Sequence, residues 1–283
     1  MAETAHQVEA ARGPVAGPRA HPLSVACLAF VFVFLLMVLA LVVTDLLYIQ
    51  RAGTAKKVEW AAILAAARLS ALTSAATLVL VVLFAVPMGY ALSRFRFPGH
   101  TVVDTLVDLP IVVPPLVIGV SLLVFFSTAA GRWIEGLGLK FVYSVPGIIL
   151  CQFLVSASYG IRSAAAAFDA VDRRLEHLAL SLGCTPWQAF RHVALPLARN
   201  GIVTGSILAW AHAVGIFGPL MVFTGSVRYK TEVLPTTVFL ELSVGNIEAA
   251  VAVSLLMVAA AMIVLVVVRI YGIEQSLGRF LQP

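Results

Sequence analysis

The residues of this 283-residue chain that are able to do chemistry are few and scattered. Its histidines, at positions 6, 21, 100, 177, 192 and 212, form no cluster. It has neither the His-Glu-x-x-His pattern of zinc proteases nor the Gly-x-Ser-x-Gly pattern of serine hydrolases. The pair Lys230-Thr231 follows Tyr229, whereas a phosphate-binding loop needs glycine at that place. The sequence therefore indicates no hydrolytic chemistry, and no ATP hydrolysis, by the chain itself.

The remaining candidates for chemistry lie in or near apolar runs. Cys27, Cys151 and Cys184 have no metal-ligand spacing, so we interpret them as small apolar residues without a disulfide or a metal. Ser206 and His212 are six residues apart, which places them on different faces of a helix and argues against an intramembrane enzyme. An ionisable residue at membrane depth is a functional hypothesis by default. His212 therefore has either a role in a pathway or a simple bond to a neighbouring helix.

The composition predicts a membrane protein. Hydrophobic residues make up 61% of the chain and charged residues 12%, against about 25% charged in soluble domains. The net charge of +5 fits basic residues at span ends that meet anionic lipid, so we expect a lipid bilayer and no nucleic acid as partner. Six runs without Asp, Glu, Lys or Arg are long enough to cross a bilayer. They are Pro22–Thr44, Leu69–Ser93, Leu109–Gly131, Phe141–Ile161, Asn200–Val227 and Ala249–Val268.

The predicted fold is thus an all-α polytopic membrane protein with six transmembrane helices. The first run is too long for a signal peptide and has no small-residue cleavage site after it. An even number of spans places both termini on one side. The excess of Lys and Arg on that side is weak, so the orientation depends mainly on the polar stretch Asp169–Pro196. Residues 1–21 have the composition of a disordered tail, and 22–68 comprise the first span and its connector.

The stretch Asp169–Pro196 predicts two short helices between the fourth and fifth spans. Asp172 is placed to cap the first helix, and Gly183 follows its last apolar position, where a left-handed stop is expected. Thr185, Pro186 and Gln188 then form the start of a second helix with a capping box, and Pro196 is expected to end it. The apolar stripes of the two helices are Leu175, Leu178, Ala179 and Leu182, then Trp187, Phe190 and Ala194. On amphipathicity alone, the hairpin could lie on lipid headgroups.

Its spacing resembles the signature loop of permease subunits of binding-protein-dependent ABC importers. That loop has the pattern Glu-Ala-Ala, three residues, Gly, nine residues, Ile-x-Leu-Pro. The matching residues here are Ala179, Gly183, Val193, Leu195 and Pro196. His177 stands in the position of the family glutamate. Glu176, one residue earlier, would point about 100° away on a helix.

Two further segments resemble the molybdate, tungstate and sulfate permeases of this group. One is Leu109–Gly119, with Pro110, Pro114 and Pro115, and the other is Gly215–Gly218 followed by Gly225. In and after the second segment, this chain departs from the group's pattern: Ile216 stands where the group tends to have Glu, and Pro219 and Leu220 stand where it has a small residue and Thr. The resemblance covers 69–272 as a transmembrane core, which leaves 273–283 as a cytoplasmic tail.

The resemblance implies a MetI-like permease of the prokaryotic inner membrane, with both termini and the hairpin cytoplasmic. The hairpin would couple to a separate ATPase dimer, which uses ATP and Mg, while this chain binds no cofactor and is not itself an enzyme. The implied coupling residues are Arg173, Arg174, Glu176, His177, Ala179, Gly183, Trp187, Leu195 and Pro196. The implied pathway residues are Pro110, Pro114, Pro115, His212, Gly215 and Gly218.

The implied partners include a second permease subunit, identical or similar, and an external solute-binding protein. The implied substrate is a tetrahedral oxyanion such as molybdate, tungstate or sulfate. Ferric iron, thiamine, a phosphonate or a polyamine remains an alternative, as does a membrane scaffold or sensor without transport. The polar groups of the hairpin are expected to be free for contacts with the ATPase.

Overall fold

The computed structural model describes residues 22–52 and 59–280. Residues 22–52 form a unit by themselves, the helix α1 (Pro22–Ala52), in which Cys27–Gln50 is long and apolar enough to cross a membrane. The predicted first span, Pro22–Thr44, is therefore helical and continues for two more turns. The predicted tail 1–21 lies outside the described residues, and so do positions 53–58 of the connector.

The second unit, from position 59 onward, is built from helices of very different lengths. The long ones are α2 (Trp60–Arg94), α6 (Val145–Asp169), α9 (Leu195–Gly215) and α12 (Ile247–Phe280). The short ones are α3 (His100–Val112), α4 (Pro115–Ser127), α5 (Ala129–Gly136), α7 (Arg173–Ser181), α8 (Pro186–Ala189), α10 (Gly218–Phe223) and α11 (Leu234–Ser243). Helix α12 continues through Phe280, so most of the predicted tail 273–283 is helical.

The predicted third span, Leu109–Gly131, is not one continuous helix. Helix α3 begins earlier, at His100, and α3 and α4 meet at an angle of 110°. The break occurs at Val113 and Pro114, whose backbones are extended. A residue before proline is disfavoured in the helical conformation, and Val113 and Pro114 both precede prolines. Pro115 then starts α4, where a missing N–H costs nothing.

The predicted fifth span, Asn200–Val227, is also interrupted. Helix α9 ends at Gly215, Ile216 is extended, and the short helix α10 follows. Within the described residues, four helices are long and apolar enough to cross a membrane, or five when α3 and α4 count as one broken span. Arg199, Asn200 and His212 lower the apolar character of α9. The count of six spans therefore stays a prediction.

The core of the second unit lies where α2, α6 and α9 pack together. Ala164 and Phe168 of α6 and Ala209 of α9 have no exposed surface, and Val81 of α2 is 1% exposed. Small residues allow this approach: a Cβ on Gly205 would lie 2.0 Å from the Cβ of Ser163. Gly205 therefore has a packing role, because close helix contacts in membranes depend on small side chains.

Candidate functional site

The hairpin between α6 and α9 has the predicted caps. The Asp172 carboxylate accepts a hydrogen bond from the backbone N–H of Arg174 at 2.9 Å, which starts α7. Gly183 has φ +91°, the left-handed stop expected after α7. The Thr185 hydroxyl accepts from the N–H of Gln188, and the Gln188 side chain accepts from the N–H of Thr185 at 2.8 Å. The capping box is therefore confirmed.

The second half of the hairpin does not end where the sequence predicts. Helix α8 has four residues and passes through a π-helical turn, Phe190–Ala194, directly into α9. Pro196 was expected to end a helix, but the backbone stays helical through it, and it is the second residue of α9, directly after the π-helical turn. The hairpin is thus continuous with α9, and a movement of α8 is passed to that helix without a loop.

Most of the predicted apolar stripe of α7 is exposed, together with Trp187, whereas Phe190 and Ala194 of the second stripe pack inward against the core. Leu178 is 59% exposed, Leu182 is 86% exposed and Trp187 is 65% exposed. Exposed large apolar side chains that cluster on one element indicate a surface for interaction. His177, Arg174 and Arg191 are also exposed around this stripe. We call this set of exposed side chains of the hairpin the docking face; it consists of Arg174, His177, Leu178, Leu182, Trp187 and Arg191.

Glu176 does not belong to the docking face. The expectation that its carboxylate is free for an external contact is wrong, since the residue is 8% exposed and its partners lie on α2. The guanidinium of Arg94 lies 2.7 Å from Oε1 of Glu176, and the Tyr90 hydroxyl donates to Oε2 at 2.8 Å. Adjacent residues of a helix point about 100° apart, so Glu176 faces inward to α2 while His177 faces outward.

Arg173 is likewise engaged within the chain. Its guanidinium donates to the backbone carbonyl of Ser93. The Ser93 hydroxyl in turn donates to Asp169 at 2.6 Å. The end of α2, the end of α6 and the start of α7 are therefore joined by one polar network, which the sequence analysis missed.

The two segments that resemble the oxyanion permeases lie against each other. Gly119 of α4 packs on Pro219 of α10, and a Cβ on Gly119 would lie 2.7 Å from Pro219 Cα. Gly218 approaches Leu116, one residue after Pro115. The structure therefore brings together the break before α4 and the break before α10. The Leu109–Gly119 and Gly215–Gly218 segments are far apart in sequence, and no periodicity predicted this contact.

The other predicted pathway residues lie around these breaks. Pro110 is inside α3, and Pro114 is at the bend. Gly215 ends α9, and a Cβ added to it would have open space around it to 4 Å. His212 is partly buried and its ring lies 4.5 Å from the ring of Tyr159 on α6. A contact between helices thus holds His212, which is the packing alternative left open by the sequence.

A charged cluster between α3 and α6 was missed from the sequence. Arg162 pairs with Asp104 at 2.6 Å and also bonds the carboxylate of Asp108, on the facing helix α3. Asp104 and Asp108 are four residues apart and so share one helix face. The spacing of the two aspartates could have indicated this cluster. It was overlooked because the spans were predicted as runs without charged residues, so that the third span began at Leu109 and the fourth ended at Ile161.

The segment Arg228–Glu248 is folded rather than a solvated loop. Helix α11 occupies its middle, and Glu241 of that helix is 5% exposed and paired with Arg228. Glu232 is 2% exposed, and burial raises the pKa of its carboxyl above the ordinary value. The segment therefore contains a short helix with buried acidic side chains at and before it.

Residues 82–273 match the family model described as binding-protein-dependent transport system inner membrane component. The chain belongs to this family. The match covers both breaks, the hairpin and α9, so the resemblance inferred from the signature loop is confirmed. Members of the family are permease subunits of ABC transporters.

Named relatives of this permease are oxyanion transport proteins. It is 39% identical over 160 residues to the molybdate/tungstate transport system permease protein WtpB of Thermococcus kodakarensis, covering 56% of this chain and 60% of the relative. It is 38% identical over 198 residues to the molybdenum transport system permease protein ModB of Mycobacterium tuberculosis, covering 69% and 75%. The chain thus spans less than two thirds of the length of WtpB.

The fold is also that of a solved ABC transporter chain. A chain in the crystal structure of a bacterial alginate ABC transporter, in complex with an alginate pentasaccharide-bound periplasmic protein, superposes with a TM-score of 0.70. The match covers 88% of this permease and 93% of that chain, at 16% sequence identity. At this identity the likeness is one of fold.

Proposed function

We propose that this permease is the transmembrane subunit of an ATP-driven importer for a tetrahedral oxyanion, of the molybdate, tungstate or sulfate class. The observation that carries the proposal is the docking face: exposed apolar side chains on a capped helical hairpin that is continuous with α9 and tied to α2. The names of the oxyanion relatives support the substrate class.

The docking face fits a groove on a separate ATPase subunit. Short helices with apolar anchors, here Leu178, Leu182 and Trp187, are suited to grooves of this kind. The ATPase dimer supplies the ATP and Mg chemistry, and this chain contributes the coupling residues. A second permease subunit completes the pathway, and an external binding protein delivers the solute. The periplasmic protein in the alginate transporter complex supports a partner of that kind.

The breaks at 113–114 and 216–217 suit a pathway that opens and closes. Carbonyl groups freed at such breaks are tolerated at membrane depth only beside protein neighbours or a wet cavity. When the ATPases close, the hairpins move with them, and the packed helices α2, α6 and α9 rock as bodies while the breaks absorb the change. His212 and Gly215 lie next to the second break and complete the proposed pathway.

In this proposal the chain crosses the prokaryotic inner membrane six times. The spans are α1, α2, the pair α3 and α4, α6, α9 with α10, and α12. The hairpin lies on the cytoplasmic side, and both termini lie there with it. A cysteine accessibility assay on the native Cys184, with Cys27 and Cys151 replaced by serine, in right-side-out and inside-out vesicles tests this orientation, because Cys184 is exposed on the hairpin.

The partner assignment is tested by co-expression with the neighbouring genes and purification of this chain. We expect an ATPase subunit to copurify with the wild type and to be lost with Leu182→Asp. Leu139→Asp is the matched control, since Leu139 is 58% exposed in a loop away from the hairpin. Copurification that survives Leu182→Asp would contradict the docking face, and its absence from the wild type would favour a scaffold or sensor.

The substrate class is tested with the binding protein encoded beside this chain. Titration with molybdate, tungstate, sulfate and Fe(III) should give tight binding of an oxyanion and none of Fe(III). Tight binding of Fe(III), or of thiamine, a phosphonate or a polyamine in a wider screen, would keep the permease and overturn the oxyanion.

A further inference from the structure

The first turns of α7 are anchored to α2 by a buried ion pair. The side chains of Arg94 and Glu176 are 7% and 10% exposed, and their charged atoms lie 2.7 Å apart. Nε of Arg94 also donates to Oε1 of Glu176 at 2.8 Å. A second guanidinium nitrogen donates to the backbone carbonyl of Val171 at 3.0 Å. One arginine at the end of α2 therefore holds both the start of the hairpin and its central carboxylate.

The carboxylate of Glu176 is fully occupied inside the chain. Its second oxygen accepts the hydroxyl of Tyr90, one helical turn before Arg94 on α2. The ring of Tyr90 packs edge to face on Phe168 of α6 and on Phe190 of the π-helical turn, with centroids 5.2 and 4.7 Å apart. Glu176 is thereby connected to α2 through charge and to α6 and the hairpin's second half through aromatic packing.

Polar contacts, rather than apolar packing, hold α7 against the neighbouring helices. The stripe of α7, with Leu175, Leu178 and Leu182, is exposed, so little apolar contact holds this helix against the spans. Removing one partner of a buried ion pair leaves an uncompensated charge, which is strongly destabilising. Each partner therefore holds the other in place. A force on α7 is therefore transmitted to α2 through Arg94 and Tyr90.

We propose that Arg94 and Glu176 are positioning residues for coupling: they make α7 and α2 move as one body when the ATPase pulls on the docking face. The inference rests on the proposed function and assigns a task within it. Helix α9 follows the hairpin through the continuous backbone, whereas α2 follows it through side-chain contacts, among which this pair is the buried ionic one. Without the pair, α2 would follow the movement of the hairpin less closely, and less of the ATPase movement would reach the pathway.

The test uses the purified complex of permease and ATPase in proteoliposomes with the binding protein, and measures substrate taken up per ATP hydrolysed. We expect Glu176→Ala to lower this ratio by at least about tenfold while the ATPase stays bound and active. Glu176→Gln keeps one oxygen to accept from Arg94, while its NH2 group can donate to the Tyr90 hydroxyl, and it should restore part of the ratio. The matched control is Glu241→Ala, which breaks an ion pair with a comparably buried carboxylate, far along the chain from the hairpin.

The results distinguish failure of the Arg94–Glu176 anchor from failure of the proposed function. A Glu176→Ala complex that loses as much thermal stability as Glu241→Ala but keeps the wild-type ratio would overturn the inference. Tyr90→Phe covers the case in which Glu176→Ala does not assemble, because it retains the ring packing and removes one bond; we expect the ratio to fall about fivefold. An unchanged ratio in Tyr90→Phe also counts against the anchor. Failure of the wild type to copurify an ATPase would instead refute the proposed function.

Discussion

Gly119→Ala tests whether the contact between α4 and α10 is as close as the structure gives it. The added Cβ would lie 2.7 Å from both Cα and the carbonyl oxygen of Pro219. These are backbone atoms, so no flexible side chain can move aside. Restoring an ordinary contact distance of 3.4 Å requires the two helices to separate by about 0.7 Å at this point.

Two opposing effects determine the size of the change. Overpacking of a tight contact costs about 1–3 kcal/mol, and replacing glycine by alanine within a helix returns about 0.5–1 kcal/mol. Since the clash is with backbone atoms, the overpacking cost lies in the upper part of its range, and the net loss of stability is about 1–2.5 kcal/mol, a drop in Tm of roughly 2–4 °C for a chain of this size. Uptake should fall with it if this contact belongs to the pathway.

The assay is thermal unfolding of the purified permease in detergent, followed by uptake in proteoliposomes. Gly215→Ala is the matched control, because a Cβ there meets no atom within 4 Å and the residue ends α9 beside the same region. We expect Gly215→Ala to leave the Tm unchanged or slightly higher. Equal Tm values for the two variants would refute the close contact between Gly119 and Pro219.

Three further outcomes follow from the described contacts. Thr185→Ala removes the capping box and should cost about 1 kcal/mol, measured as Tm, whereas Thr204→Ala in the exposed middle of α9 should not. His212→Ala should cost about 0.5–1.5 kcal/mol through loss of the ring contact with Tyr159, and His212→Phe should not; unchanged uptake in both would exclude a pathway role. Because burial raises the pKa of Glu232 above 4.5, the folded state loses stability as the pH rises above that value. The stability advantage of Glu232→Gln should therefore grow as the pH rises from 4.5 towards neutrality, and a constant difference would contradict the burial effect.

Local features of the hairpin were predictable from the sequence because they depend on neighbouring residues. Asp172, Gly183 and Thr185 act on backbone groups within four positions, so their types and spacing are sufficient. The breaks before α4 and α10 were also predictable in kind, because the local chemistry of Pro114, Pro115, Gly215 and Gly218 disfavours a straight helix. Their sharpness was not, because an angle of 110° depends on what the following helix packs against.

The partners of the charged residues could not be predicted from the sequence around each residue. Within its own segment Glu176 has the pattern of a free surface acid, yet Arg94 lies 82 positions earlier in the chain. Arg162 and Asp108 are separated by 54 positions. Such pairs form only where the packing of α2, α3 and α6 brings helix ends together, and no periodicity within one helix encodes that.

The sequence by itself determined that this is a helical membrane permease with a capped hairpin, since apolar run length and cap chemistry are local properties. Its signature spacing also identified the family. The tertiary structure alone decided which side of α7 faces a partner and which side is anchored, because the direction of a side chain has meaning only once the neighbouring helix is in place. It thereby divided two adjacent residues, Glu176 inward to Arg94 and His177 outward on the docking face.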